Sequence, residues 1–228
     1  MKFIVIGLGN FGTNLSHQLI QEGHEVFGID YKMDRVESNS EYLTHTICTD
    51  TTEELNIKKI PLNDADYIIV SIGSEISVSL TTTALLKRNT NQPILCRAIN
   101  DVHGTILESM GIYQILYPEA EYAKELANRL SIKGAVRTMT FDENHEVVEL
   151  KISENMIGKM LKESNLRSKW NLNLVTVVRD HKTKNVFGRI VFKKKAMGVI
   201  SPDFMFEKED NLILYGNKND LERFNNNV

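Results

Sequence analysis

Residues 2–12, KFIVIGLGNFG, constrain this chain more than any other stretch. Phe3-Ile4-Val5-Ile6 is a short uninterrupted apolar run, as a strand buried on both faces requires. Gly7, Gly9 and Gly12 follow at G-x-G-x-x-G spacing, and an amphipathic helical pattern begins at once, with Phe11, Leu15, Leu19 and Ile20 on one face. In a strand–turn–helix of this kind the first glycine permits the tight turn. The second lets a pyrophosphate approach the backbone, and the third lets helix and strand pack closely. The free N–H groups and the dipole of the new helix then favour phosphate. This spacing in this context reads as a nucleotide or dinucleotide site; the alternative is an α/β turn that binds nothing.

Composition narrows the class. With 228 residues, 42% hydrophobic and 25% charged, the chain is long enough for one large or two small globular domains. A net charge of −3 gives no electrostatic footprint for nucleic acid. The two cysteines, Cys48 and Cys96, lie in apolar segments, so a reduced, cytoplasmic chain with buried thiols is expected. Met1 runs directly into the first strand, so no signal peptide is expected, and no apolar run reaches the ~20 residues of a spanning helix. Any membrane connection would come through a partner.

The chain continues as strands alternating with helices. Glu25–Asp30 reads as a second strand, with Asp30 at its carboxyl end, where a carboxylate can accept hydrogen bonds from both ribose hydroxyls and repel a 2′-phosphate. Tyr31 and Lys32 follow at the same edge; the alternative for Asp30 is the N-cap of a short helix over Met33–Ser38. Tyr42–Cys48 reads as a third strand and a short helix ends near Lys59, with Asp50 or Thr51 either capping it or lying beside an adenine. Ala65–Val70 reads as a fourth strand, turning at Ser71-Ile72-Gly73. The helix Glu75–Arg88 carries Ile76, Leu80, Ala84 and Leu85 on one side; the strand Ile94–Arg97, the helix Asp101–Met110 with Asp101 as cap, and the strand Tyr113–Leu116 complete the series. This predicts a doubly wound parallel sheet, with Gly7–Gly12, Asp30, Asp50, Ser71–Gly73 and Arg97 at the strands' carboxyl edge, where such sheets bind ligands. The histidines 17, 24, 45 and 103 have no acid or nucleophile at a motif-like spacing, and little chain remains for a substrate domain. A sensor is favoured over an NAD-dependent oxidoreductase. A redox-sensing repressor lacks both a winged-helix pattern and a basic surface.

Pro118 suits the first position of a long helix from Tyr117 to about Ile132, whose Tyr122/Leu126/Leu130 stripe faces either its own core or another protomer. Glu119 in its first turn complements the helix dipole. After Gly134 the texture changes. Strands are expected over Val136–Asp142, Glu146–Ile152, Asn173–Arg179, Val186–Phe192 and Asn211–Tyr215, with helices over Met156–Leu166 and Asn217–Phe224. A turn is expected at His181–Asn185, a solvated turn or phosphate site at Lys193-Lys194-Lys195, and a frayed tail at Asn225–Asn227. The domains are therefore set at 1–116, a helix and linker at 117–135, and a small α+β domain at 136–228.

GLGNFG at 7–12 with Asp30, CTD at 48–50, VSIG at 70–73 and YPEAE at 117–121 resembles the nucleotide-binding half of RCK domains, also called TrkA-N. NLRSKWNLNLVTVVR at 165–179 and SPDFMFEKEDNLILYGNKNDLERF at 201–224 resemble the TrkA-C half. The resemblance runs through nearly the whole chain in the family's order and is closest to KtrA-type cytosolic regulators of bacterial Ktr potassium transporters.

The resemblance implies a non-enzymatic gating ring: dimers assembling to an octamer, peripheral at the inner face of the membrane through a potassium-transporter subunit. Such rings bind ATP or ADP, sometimes NAD or NADH, in the N-terminal domain. It assigns Gly7, Gly9, Asn10, Phe11 and Gly12 to the phosphates, Asp30, Tyr31 and Lys32 to the ribose end, Asp50 and Thr51 to the adenine, and Ser71, Ile72, Gly73 and Arg97 to the pocket wall. Glu119 matches a family carboxylate that holds a cation such as Mg²⁺ or Ca²⁺ near the phosphates. Asn165 and Arg167 lie in a turn that in relatives binds cyclic di-AMP, although Lys162 stands where an apolar residue is usual. Relatives carry Arg in the position of Asn10. Asn supplies no charge for a terminal phosphate, which makes NAD(H) or AMP more plausible here.

Overall fold

A computed structural model describes residues 1–184 and 189–227. The chain forms two compact units, Met1–Glu119 and Ala120–Val228.

The first unit is built on six parallel strands: β1 (Lys2–Ile6), β2 (Glu25–Asp30), β3 (His45–Cys48), β4 (Tyr67–Val70), β5 (Ile94–Arg97) and β6 (Gln114–Leu116). Their order is β3-β2-β1-β4-β5-β6, so the chain reverses its direction of travel across the sheet between β1 and β4. Strand β1 is central, with Ile6 level with Ile29 on one side and Val70 on the other. Both faces of this strand are buried, as its unbroken apolar run requires. Ile4 and Ile6 join a core with Ile29, Ile68 and Val70, while Val5 joins Leu8, Val26, Leu43 and Ile69 on the opposite face. Each such side chain contributes roughly 1.5–3 kcal/mol on burial. The connecting helices are α1 (Asn10–Gln21), α2 (Met33–Asn39), α3 (Glu54–Ile57), α4 (Ile76–Asn89) and α5 (Asp101–Ser109).

Several elements differ from the sequence reading. Strand β3 begins at His45 rather than Tyr42, because Tyr42 and Leu43 still donate their N–H groups to Asn39 O at the end of α2. The cap of α5 is Asn100, whose side chain accepts from His103 N; Asp101 is already helical. Helix α4 does not bury Ile76/Leu80/Ala84/Leu85 as a stripe. Its buried residues are Ser79, Thr82, Thr83 and Leu86, and Ala84 is exposed. Thr82 is hydrogen-bonded to the Thr51 hydroxyl at 2.9 Å and Thr83 to the Cys96 sulfur at 3.3 Å, so hydroxyls pair within the interface where apolar periodicity predicts hydrocarbon. Cys48 is exposed, contrary to expectation, while Cys96 is buried and its thiol is pushed up to about 11 by that burial.

Helix α6 (Pro118–Ser131) starts at the proline, as its fixed φ favours, and the unit boundary falls in its first turn. It has no buried residue; Tyr122 and Leu130 are largely exposed.

The second unit is an antiparallel sheet of β7 (Ala135–Thr140), β8 (His145–Lys151), β9 (Asn173–Lys184), β10 (Ile190–Ala196) and β11 (Asn211–Asn217), in the order β10-β9-β11-β8-β7. Val148, Leu150, Val177, Leu212 and Leu214 on one sheet face pack with Leu166 and Trp170 of α7 (Leu166–Trp170) and Leu221 and Phe224 of α8 (Lys218–Asn227). The helix expected over Met156–Leu166 is replaced by two 3₁₀ turns, Glu154–Met156 and Leu161–Glu163. Gly158 between them has φ +77°, which a continuous helix does not allow, and Met160 bridges Met205. His181–Lys184 continue β9 instead of turning, and Lys193–Lys195 are strand residues of β10 rather than a turn, with Lys194 Nζ 3.1 Å from Glu149 Oε1. Of the strand expected at Val186–Phe192, residues 186–188 lie outside the described residues, as does Asn185 of the expected turn. Asn225–Asn227 extend α8 instead of fraying, with Asn225 Nδ2 donating to Lys133 O at 2.7 Å.

Candidate functional site

A cavity of about 560 Å³ opens at the carboxyl ends of the first unit's strands, at the reversal between β1 and β4. The loop leaving β1 forms its floor. Gly7 has φ +99°, which a side chain resists, and its N–H donates to Ile29 O at 2.7 Å. The Ser71 hydroxyl lies 2.6 Å from Gly7 O and 3.0 Å from Ile6 O, tying the β4 turn to the loop. A Cβ on Gly12 would fall 2.0 Å from Gly7 O and 2.5 Å from Ser71 Oγ, so Gly12 is the packing glycine and does not line the cavity. Gly9 stands at the N-cap of α1 without a side chain to cap it. The first-turn N–H groups of α1 thus have no capping side chain, and Gly9, Asn10 and Phe11 line the cavity.

Asp30 is buried at 4% exposure, and its carboxylate is heavily engaged. Oδ2 accepts from Leu8 N at 2.7 Å and from Arg35 Nη1 at 3.1 Å, and Oδ1 accepts from Lys32 N at 2.9 Å. It is not the cap of α2, which is Lys32. A carboxylate has about four acceptor sites, so roughly one remains for a ligand hydroxyl. Tyr31 is exposed in the cavity wall; Lys32 Nζ lies 5.5 Å from its ring centre and is not a lining residue. Asp50 Oδ1 accepts from Thr52 N at 2.8 Å and Thr52 Oγ1 at 2.7 Å, and these bonds hold its carboxyl below the usual range. Helix α3 is capped by Glu53, so neither Asp50 nor Thr51 caps it. Thr51 is buried against Thr82 at the cavity edge.

The opposite end is formed by β5 and the start of α6. Arg97 pairs through Nη2 with the Glu119 carboxylate, and its guanidinium lies 5.8 Å from the Phe11 ring centre. A Cβ on Gly73 would come within 2.4 Å of Nη1, so the guanidinium rests directly on that glycine. Arg97 Nε is buried and lacks a hydrogen-bond partner among the described residues.

The cavity therefore gathers Gly7, Gly9, Asn10, Phe11, Asp30, Tyr31, Asp50, Thr51, Ser71, Ile72, Gly73, Arg97 and Glu119. Sequence reasoning missed Arg35, Thr49, Thr52, Ser74, Glu75 and Val78. For Arg35 there was a signal: it sits in the first turn of α2, the helix that follows Asp30. Four carboxylates, Asp30, Asp50, Glu75 and Glu119, face the cavity against two guanidiniums, Arg35 and Arg97. Among the described residues there is no cluster of three or more His, Cys, Asp or Glu arranged to hold a metal ion.

Asn165 and Arg167 lie in the second unit. Asn165 is left-handed at φ +54° with its Nδ2 on Glu163 O at 3.3 Å, and Arg167 Nε donates to Asn173 Oδ1 at 2.6 Å. Lys162 Nζ is held by Asp203 Oδ1 at 2.7 Å, which raises its pKa.

The TrkA-N domain family matches residues 3–118, the segment that carries the glycine loop and every lining residue but Glu119. The chain belongs to this family. Along its whole length it is 30% identical to the Ktr system potassium uptake protein C of Bacillus subtilis, covering 97% of that protein. It is 29% identical to the Ktr system potassium uptake protein A of the same organism over 99% of this chain and 96% of that one. In fold, this TrkA-N protein is similar to the GsuK RCK domain, with a TM-score of 0.61 at 17% identity over 99% of this chain and 47% of that one. The GsuK channel bound to NAD matches equally, with a TM-score of 0.61 at 15% identity over 98% of this chain and 39% of that one. Among the described residues no helix is long and apolar enough to cross a membrane.

Proposed function

We propose that this chain is the nucleotide-sensing regulatory subunit of a potassium transport system, acting by binding rather than by turnover on an associated membrane subunit at the cytoplasmic face. The observation that carries this reading is the cavity itself: an uncapped helix N-terminus and a buried Asp30 at the switch point of a parallel sheet, in a chain that matches Ktr proteins over its full length. The ligand is an adenine nucleotide. The excess of carboxylates in the cavity and the neutral Asn10 favour a ligand of low net charge, NAD(H), AMP or ADP, over free ATP. The NAD-bound GsuK channel, similar in fold, supports the same choice. Where a more highly charged nucleotide binds, a hard cation such as Mg²⁺ or Ca²⁺ beside Glu119 offsets the repulsion.

The proposed assembly is a homodimer built into an octameric ring, with the unburied Tyr122/Leu126/Leu130 face of α6 as a contact between chains. The second unit is the proposed place for cyclic di-AMP, at Asn165 and Arg167.

Calorimetric titration of the purified protein with ATP, ADP, AMP, NAD and NADH, with and without Mg²⁺, tests the central reading. Micromolar binding of at least one of them supports it, and no binding by any overturns it. Consumption of NADH with a carbonyl substrate, abolished by one substitution in the cavity, would establish an oxidoreductase instead.

A further inference from the structure

The ion pair at the far end of the cavity has an uneven construction. Arg97 is largely buried, its side chain 19% exposed, while its partner Glu119 is 67% exposed. The guanidinium is held by the fold on two sides: it rests on Gly73 and lies beside the Phe11 ring at the first turn of α1. Its Nε is buried and has no hydrogen-bond acceptor among the described residues. Glu119 is tied only by Arg97: no other hydrogen bond or ion pair to its carboxylate occurs among the described residues. A solvated carboxylate gives up little when such a pair opens, because water replaces the lost contact. A guanidinium beside an uncapped helix N-terminus gains from a doubly charged phosphate, which accepts from it in two-pronged geometry. Both groups line the same cavity as Gly9 and Asn10.

We propose that Arg97 is the phosphate-binding cation of this site, and that Glu119 holds it in reserve as a competing internal anion. A ligand phosphate takes the guanidinium from Glu119, so the carboxylate weakens every phosphate ligand by the competition it offers at Arg97. The exchange conserves charge pairing at Arg97, and it removes the neutralising partner from the first turn of α6. This rests on the nucleotide-binding reading. It differs in sign from a role for Glu119 that is confined to holding a cation, for which losing the carboxylate would weaken binding or leave it unchanged when no divalent cation is present.

The test is calorimetry of ADP and of adenosine in EDTA, using the full chain, Glu119→Gln, Arg97→Gln and the double variant, each checked for folding by circular dichroism. Glu119→Gln should bind ADP at least fivefold tighter than the native chain while adenosine affinity stays within twofold. Arg97→Gln should bind ADP at least tenfold more weakly, and the gain from Glu119→Gln should vanish in the double variant. Unchanged or weaker ADP binding by Glu119→Gln, or a gain that persists without Arg97, overturns the proposal. If the native chain binds neither ADP nor adenosine, nor any nucleotide in the broader titration, the nucleotide-binding reading itself fails.

Discussion

The two units spend their charged groups differently. In the second, charges close on one another within the fold. Arg179 reaches Asp210 through Nε at 2.6 Å and Nη2 at 2.8 Å and also pairs with Glu207, while Asp210 is 1% exposed and takes Glu207 N at 2.8 Å. Glu149 is held by Lys194 and by Asn211 Nδ2 at 2.6 Å. In the first unit one set of charges gathers around a cavity, and the pairs formed there leave capacity over. Arg35 meets Asp30 through one nitrogen, and Arg97 keeps a buried N–H without an acceptor among the described residues. An antiparallel sheet can place opposite charges on adjacent strands and satisfy them in register. A parallel sheet ends all its strands at one edge, and whatever polar groups arrive there must face each other across a gap. Saturation marks a structural network, and residual capacity marks a site.

The largest effect expected from this contrast is in the second unit. Arg179→Met leaves Asp210 buried without its cation and should cost about 3–5 kcal/mol. Urea unfolding followed by fluorescence of Trp170, the single tryptophan, reads this directly. A loss below about 1 kcal/mol would mean that these charges are not consumed by the fold, and the contrast breaks.

Next is Gly12→Ala, whose new methyl meets a backbone oxygen that cannot rotate away. Overpacking of this kind costs about 1–3 kcal/mol. Thermal melting should show the loss, and a melting point equal to that of the native chain would mean the loop shifts freely.

Asp30→Ala sharpens the comparison, because Asp30 belongs to both classes. It should weaken ADP or NAD binding and also destabilise the first unit, each by about 1–3 kcal/mol, since Leu8 N loses its buried acceptor. Weaker binding with unchanged stability would make Asp30 a ligand group only.

The smallest effect is at Asp50. Its two bonds from Thr52 hold its carboxyl below 3.8, so the associated stability is complete above 3.8 and is lost as pH falls through the lower folded value. Carboxyl NMR titration should give a midpoint under 3.8 that rises toward it in Thr52→Ala. Identical midpoints in the two proteins would remove Thr52 as the cause.

The parallel sheet was legible because β1 is apolar from Phe3 to Ile6 and followed by glycines at a spacing that few other structures need. The cavity's edge residues were legible for the same reason: once strand ends are known, Asp30, Ser71 and Arg97 can be placed. The face of α4 was not legible, because Thr82 and Thr83 satisfy their hydroxyls on Thr51 and Cys96, contacts with no trace in local periodicity. Arg35 was missed because it points back to a strand end five positions earlier, across a helix start. In the second unit, the expected helix at Met156–Leu166 failed because the apolar spacing was compatible with two short turns. Gly158 and the Met160–Met205 bridge decide between them, and the bridge joins residues distant in sequence. The lysines of β10 read as a turn by charge, yet Lys194 belongs to a strand, and its partner Glu149 comes from β8, which is not adjacent to β10 in the sheet.

The hydrogen bonds that brace the glycine loop have a kinetic consequence. Gly7 N on Ile29 O, Leu8 N on the Asp30 carboxylate and the Ser71 hydroxyl on Gly7 O all join groups of the chain itself. The seat for a phosphate is thus shaped by the fold, and little ordering entropy is lost on docking. Association with this loop should therefore be fast and similar for every nucleotide that carries the same phosphate group. Discrimination among such nucleotides would then be expressed in how long each one stays.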